Sequence, residues 1–228
     1  VEHDATHYAF VHIPKTAGSS FLADSPKHLP VKSTMNGNGE RDACTVNRPL
    51  PQVAVMIRSP KSHVYSMFLE CKYDTWGIET TRGSKFPRDN STTSAGFEEW
   101  LDHFQLHNND FNCYYPRNLQ TRRMGCSIDQ RHGRLNVTAA HNMVRNIGFV
   151  GITDHYAESI CAFEVFVSNT TKCTCVNGTL SMHAPVTHIT HFVPPHSLRE
   201  LTPRHIHLIN NLTQEDDKLY AMARSRFW

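Results

Sequence analysis

An excess of charge of one sign is the first thing this chain lacks: 23 Lys and Arg stand against 21 Asp and Glu in 228 residues, a formal net charge of +2. A global polycation of the kind that binds nucleic acid at large is thereby excluded. The reserve of charge is in 16 histidines, which make the chain more cationic in a mildly acidic compartment. Long apolar runs are also missing, and none approaches the roughly 20 residues of a membrane-spanning helix. Repeats and low-complexity tracts are absent. So is the GxxxxGK[ST] step that cradles a magnesium-bound triphosphate, which argues against a nucleotide or metabolite kinase. Seven cysteines are present without a CxxC pair, since Cys173-Thr174-Cys175 is one residue too short, so a tetrahedral metal set has no basis.

What is there begins with Phe10-Val11-His12-Ile13-Pro14-Lys15-Thr16-Ala17-Gly18-Ser19-Ser20-Phe21, where an apolar strand passes into small, donor-rich residues around one lysine. Backbone N–H groups of such a turn can converge on one anion, and the lysine adds a mobile cation. The lysine precedes the glycine, the reverse of the triphosphate pattern. A second, mainly apolar run, Gln52 to Ile57, delivers Arg58-Ser59-Pro60 into a helical pattern that carries Ser66. Pro60 suits the first helical turn. Arg58 is thus placed at the C-terminal edge of a parallel strand beside the cradle, where open α/β sheets bind ligands. One ligand with two separated phosphates would satisfy both elements.

These two motifs resemble those of the Golgi membrane-anchored carbohydrate sulfotransferases, the family that includes heparan sulfate 2-O-sulfotransferase. The family's 5′-phosphosulfate loop is similar to residues 12–20, and its Leu-Arg-Asp-Pro-x-x-Arg-x-x-Ser motif for the 3′-phosphate is similar to Ile57–Ser66 at identical spacing. The segments 118–122, 149–153 and 216–220 follow in the family's order, so the resemblance covers most of the chain. Ser59 and His63 depart from it, standing where the family has Asp and Arg.

The resemblance implies an α/β fold: a single P-loop-like sulfotransferase domain over residues 1–228, with a central, mainly parallel sheet flanked by helices. It also implies sulfuryl transfer from 3′-phosphoadenosine 5′-phosphosulfate (PAPS) to an acceptor hydroxyl, with no metal. Lys15 would act on the bridging oxygen of the leaving phosphate. Lys15, Thr16, Ala17, Gly18, Ser19 and Ser20 would hold the 5′-phosphate, and Arg58 with Ser66 the 3′-phosphate. Glu40, in the Gly39-Glu40 pair that stands roughly where many members carry Gly-His, is the first candidate for general base; His28 is the second. A family loop that closes over the donor would bring in residues 187–191. The setting implied is the Golgi lumen, in a type II membrane protein whose anchor and stem are trimmed from this sequence. A catalytically inactive glycan-binding module is the alternative, favoured by the missing Gly-His pair.

Five sequons, at Asn90, Asn136, Asn169, Asn177 and Asn211, and the seven cysteines point to the secretory pathway. Cys113 is expected to pair with Cys126 across a loop, and Cys161 with Cys173 or Cys175. The sequence predicts strands at 8–13, 52–57 and 148–152, helices at 94–107, 137–146 and 154–167, two final helices from Thr202 and Thr213, and irregular connections at 24–51 and 168–197. His12, inside the first strand, reads as a packed core histidine. Arg117, Arg122, Arg123, Arg131 and Arg134 make the middle of the chain locally basic, which suits either an anionic glycan or a solvated face. Tyr114 and Tyr115 beside them could stack on sugar rings or pack. The acceptor expected is a glycan, with no nucleic acid.

Overall fold

The computed structural model describes residues 6–30, 32–37, 39–107, 111–126, 134–170, 173–176, 179–181 and 186–228. Four strands form an all-parallel sheet in the order β2-β1-β3-β4: β1 (His7–Val11), β2 (Thr34–Asn36), β3 (Val53–Ile57) and β4 (Phe149–Ile152). Parallel strands need crossovers, and helices supply them. They are α1 (Gly18–Asp24) between β1 and β2, and α2 (Pro60–Tyr73), α3 (Thr75–Thr80), α4 (Phe97–Leu106), α5 (Leu119–Met124) and α6 (Val137–Asn146) between β3 and β4; α7 (Tyr156–Ser168) follows β4. An antiparallel pair, β5 (Thr174–Val176) and β6 (Thr179–Ser181), precedes α8 (Pro203–Leu212) and α9 (Gln214–Phe227).

Alternation along the strands splits the core into two layers. Val11, Val53, Val55 and Ile57 turn to one face and pack with Val144, Leu219 and Ala223. Tyr8, Phe10, Ala54 and Met56 turn to the other, against Phe21, Ile160 and Phe163. Both faces are covered, which is why β3 reads as an unbroken apolar run. A third cluster lies outside the sheet, where Phe68, Phe97, Trp100 and Phe104 lock α2 to α4 and α8. Phe21 ties α1 into the second layer, its ring 4.8 Å from Phe10 and 5.0 Å from Phe163.

The predicted helix at 137–146 forms with those bounds because Asn136 caps it, its side chain accepting from the Ala139 N–H at 3.1 Å. The predicted strand at 8–13 is shifted to His7–Val11. The connection 24–51 is mostly irregular but contains β2, an edge strand of three residues too short for any periodic signal. Three disulfides join Cys44–Cys126, Cys71–Cys113 and Cys161–Cys173. The expected Cys113–Cys126 pairing is therefore wrong. Cys113 meets α2 where its own segment packs on that helix, and Cys126, just past α5, meets the segment before β3. Among the described residues no helix is long and apolar enough to cross a membrane.

Candidate functional site

A cavity of about 960 Å³ opens at the C-terminal ends of β1, β3 and β4. In the order β2-β1-β3-β4 the chain reverses direction of travel between β1 and β3, the position where open α/β sheets bind ligands. Lys15, Ala17, Gly18, Ser19 and Ser20 line it from the β1 loop, Arg58 from the end of β3, Ser66 from α2, and Glu40 from the connection after β2. Lys15 and Arg58, 43 positions apart in sequence, meet here because two adjacent strands end side by side.

The loop after β1 is held by its own backbone and by residues that follow β3 and β4. Lys15 and Ala17 have φ of 59° and 65°, a left-handed conformation that costs a residue with a Cβ about 1 kcal/mol or more. Offsetting bonds are numerous. The Thr16 hydroxyl donates to Ile13 O at 2.9 Å, the Thr153 hydroxyl donates to Thr16 O at 2.8 Å, and Arg58 Nη1 donates to Lys15 O at 3.0 Å. His63 Nε2 bonds Pro14 O at 2.8 Å. Complete burial pushes the His63 imidazole down to about 3, so it is neutral and structural. Gly18 lets the His12 imidazole pack against the backbone, since a Cβ there would come within 2.1 Å of His12 Cδ2 and force the ring to move.

Arg58 is fixed at its backbone. Gln120 accepts from Arg58 N through Oε1 and donates to Arg58 O through Nε2, each at 2.9 Å. Gln120 is itself held because Asp216 accepts from its N–H at 3.3 Å and from Thr121 N and Oγ1 at 2.7 Å. Asp216 is fully buried, and burial raises its carboxyl to about 6 against the pull of those hydrogen bonds. Ser59, where the resembled family has an acid, donates through N and Oγ to Asp154 at 2.9 and 2.8 Å. Asp154 in turn accepts from the Tyr220 hydroxyl at 3.1 Å.

Two carboxylates share the cavity. Glu40 is pushed above the ordinary carboxylate range by burial, opposed by Arg123, whose Nη2 lies 3.4 Å away, and by the Tyr114 hydroxyl, which donates to it at 3.2 Å. Glu70, one helical turn beyond Ser66 on α2, is buried and forms an ion pair with Lys15 Nζ. Sequence reasoning missed Glu70. Its signal was a lone carboxylate inside the buried run Met67-Phe68-Leu69-Glu70-Cys71, where an acid persists only with a partner. His191 Nδ1 is 4.0 Å from Glu70, and Glu70, Asp74 and His191 hold ligand atoms within 4.8 Å of one another. The Lys15 ammonium already neutralises Glu70 there.

Not every expected residue reaches the cavity. Thr16 is fully buried with its hydroxyl turned inward, and it does not line the wall. His28 lies elsewhere, with Nδ1 3.5 Å from Glu164 of α7. His12, by contrast, is a half-buried wall residue rather than a core one, and burial with the nearby His191, Arg123 and Lys15 lowers its pKa. Residues 187–191 do border the cavity. They are pinned to α1: Asp24 accepts from Thr187 N at 2.8 Å and Thr187 Oγ1 at 2.5 Å, and Ser20 Oγ accepts from Ile189 N at 3.2 Å. Burial raises Asp24, but hydrogen bonds from Lys27, Thr187 and Tyr156 outweigh it, so its carboxyl titrates below the usual range.

The wall thus offers a lysine-bearing loop, an arginine bonded to that loop with a serine nearby on α2, and a desolvated carboxylate, a set suited to an anionic ligand and a proton acceptor. No protein-family model and no curated protein matches this sequence.

Proposed function

We propose that this protein transfers a sulfuryl group from PAPS to an acceptor hydroxyl, most simply that of a glycan, on a sulfotransferase-like fold. One observation carries the reading. The loop of Lys15, Ala17, Gly18, Ser19 and Ser20 and the Arg58/Ser66 pair, supplied by two different strand-to-helix turns, line one cavity, with Arg58 Nη1 touching the loop at Lys15 O (3.0 Å). A nucleotide with phosphates at both 3′ and 5′ positions has one anionic group for each turn, whereas a triphosphate would gather its charge at one end. The donor, when bound, supplies a sulfuryl group on an activated phosphate leaving group.

The residues then divide the work. Lys15 stabilises charge developing at the bridging oxygen, a contribution strongest in the transition state. Ala17, Gly18, Ser19 and Ser20 orient the 5′-phosphate. Because α1 has only seven residues, the loop amides and Lys15 matter more than its dipole. Arg58 and Ser66 hold the 3′-phosphate by charge-assisted hydrogen bonds. Glu40, with a carboxyl raised by burial, takes the acceptor proton. The bond forming is acceptor oxygen to sulfur and the bond breaking is sulfur to phosphate oxygen, so the electron pair leaves with 3′,5′-ADP. Three disulfides support an oxidising compartment, in keeping with the Golgi lumen.

Calorimetric titration with 3′,5′-ADP and with 5′-AMP, with and without magnesium, tests the donor site. Metal-independent preference for the 3′-phosphorylated nucleotide is expected. Absence of nucleotide binding, together with binding of an anionic glycan, would replace the enzyme with an inactive glycan-binding module.

A further inference from the structure

The basic middle of the chain serves the fold in two ways. Its arginines brace the structure: Arg117 Nη2 donates to Phe104 O, Arg122 donates to Arg117 O at 3.0 Å, and Arg123 pairs with Asp42 at 3.0 Å and Glu40 at 3.4 Å, while Arg131 lies outside the described residues. An uncharged residue among them, Gln120, reaches Arg58 instead. It is fully buried, so its carboxamide depends wholly on protein partners.

The ladder between β3 and β4 ends at the Ile57–Ile152 pair. At the next residue the Gln120 carboxamide takes the place of a strand, with Oε1 accepting from Arg58 N and Nε2 donating to Arg58 O, each at 2.9 Å. A carboxamide presents acceptor and donor side by side, and so satisfies both backbone groups of one residue. A glutamate has no donor to offer, and an asparagine is one methylene shorter. The arginine is thereby fixed at root and head, since its Nη1 donates to Lys15 O at 3.0 Å. Arg58 lines the cavity from that position, whereas Gln120 does not line it, so what Gln120 does for the site it does through Arg58.

Gln120 is held in turn by an exchange of caps. Neither α5 nor α9 is capped by the side chain of its own N-cap residue, Asn118 or Thr213. Asp216 of α9 accepts from the N–H groups of Gln120 and Thr121 at 3.3 and 2.7 Å, and Asn118 Oδ1 accepts from those of Glu215 and Asp216 at 2.9 and 3.2 Å. Each helix satisfies free amides of the other. The first turn of α5, which carries Gln120, cannot shift without breaking both sets.

Resting on the donor reading above, we propose that Gln120 is the positioning residue of the 3′-phosphate subsite, holding Arg58 where its guanidinium meets both Lys15 O and the phosphate. Calorimetry with 3′,5′-ADP and 5′-AMP on wild type, Arg58→Ala, Gln120→Met and the double variant tests it, with thermal melts to confirm folding. Methionine keeps the length of the side chain and makes neither bond. Gln120→Met should weaken 3′,5′-ADP about fivefold, less than Arg58→Ala does, and change 5′-AMP by about twofold at most. In the Arg58→Ala background the same substitution should cost about twofold or less, because the group it positions is gone. The KM for PAPS should rise with kcat held, since Lys15 is untouched. Unchanged 3′,5′-ADP affinity in folded Gln120→Met, equal weakening of both nucleotides, or full additivity with Arg58→Ala overturns the inference. Should Gln120→Met fail to fold, Gln120→Asn, which keeps the amide but falls short of Arg58, carries the same cycle with the same outcomes. A wild-type protein that binds 3′,5′-ADP no better than 5′-AMP refutes the donor reading itself, whereas one that discriminates through Arg58 but not through Gln120 refutes the positioning role alone.

Discussion

Replacing Glu70 by Gln sets the Lys15 ion pair against the proposed donor. In the free protein the Lys15 ammonium is held by the buried Glu70 carboxylate. A phosphate taken up on the other side of that ammonium sits about 5–6 Å from Glu70, two charge-assisted contacts of about 2.8 Å each. Like unit charges at that separation repel by about 3 kcal/mol at an effective dielectric of about 20. The cavity is open to water and the shared ammonium offsets part of this, leaving about 1–1.5 kcal/mol. Glu70→Gln should therefore tighten 3′,5′-ADP binding roughly tenfold. It should also slow turnover, because Lys15 loses the partner that aims it. Calorimetry on both proteins, with a thermal melt to confirm folding, measures the first effect. Unchanged or weakened affinity in a folded Glu70→Gln protein would falsify the view that the carboxylate competes with donor phosphate for Lys15.

Four other outcomes follow from the same geometry. Lys15→Ala should cost turnover far more than nucleotide affinity, while Arg58→Ala should weaken 3′,5′-ADP by tenfold or more and leave 5′-AMP nearly untouched; equal losses in both variants would dissolve the division of roles. Glu40→Gln should abolish transfer with nucleotide binding intact, and a fully active variant would remove Glu40 as the base. Opening the Cys71–Cys113 bridge with Cys113→Ser releases a loop of sequence separation 42, for an expected loss of about 4 kcal/mol in the chain-entropy account, read as a fall in the urea midpoint. The last concerns pH. The unfolded chain protonates His63 near 6.5 and the folded chain only near 3, so this site weakens folding as pH falls, by about 2 kcal/mol at pH 5. Asp216, raised to about 6, works in reverse and recovers about 1.4 kcal/mol over the same interval. These two contributions largely offset each other between pH 7 and 5, and His63→Gln should gain about 2 kcal/mol relative to wild type on that descent. Identical pH slopes for the two proteins in urea titrations would show that the buried imidazole carries no such linkage.

The sequence alone determined what local pattern can encode. Continuous apolar runs marked β3 and β4 because both faces of a parallel sheet are buried, and helical patterns marked α4 within 94–107 and α6 at 137–146. The cradle and the Arg58–Ser66 spacing were legible for the same reason, since each lies within one strand-to-helix turn. Pairings between distant segments were decided only by the tertiary structure. Cys113 chose Cys71 rather than Cys126 because segment 111–117 packs on α2, a fact no cysteine spacing contains. Glu70 found Lys15, and Arg123 found Glu40 and Asp42, because β1, β3 and α5 end at one place. His12 and His28 exchanged expected settings, the first facing the cavity and the second tied to α7, since a side chain's surroundings depend on which elements cover it. Periodicity is a property of neighbours in sequence; the partner of a buried charge is a property of neighbours in space.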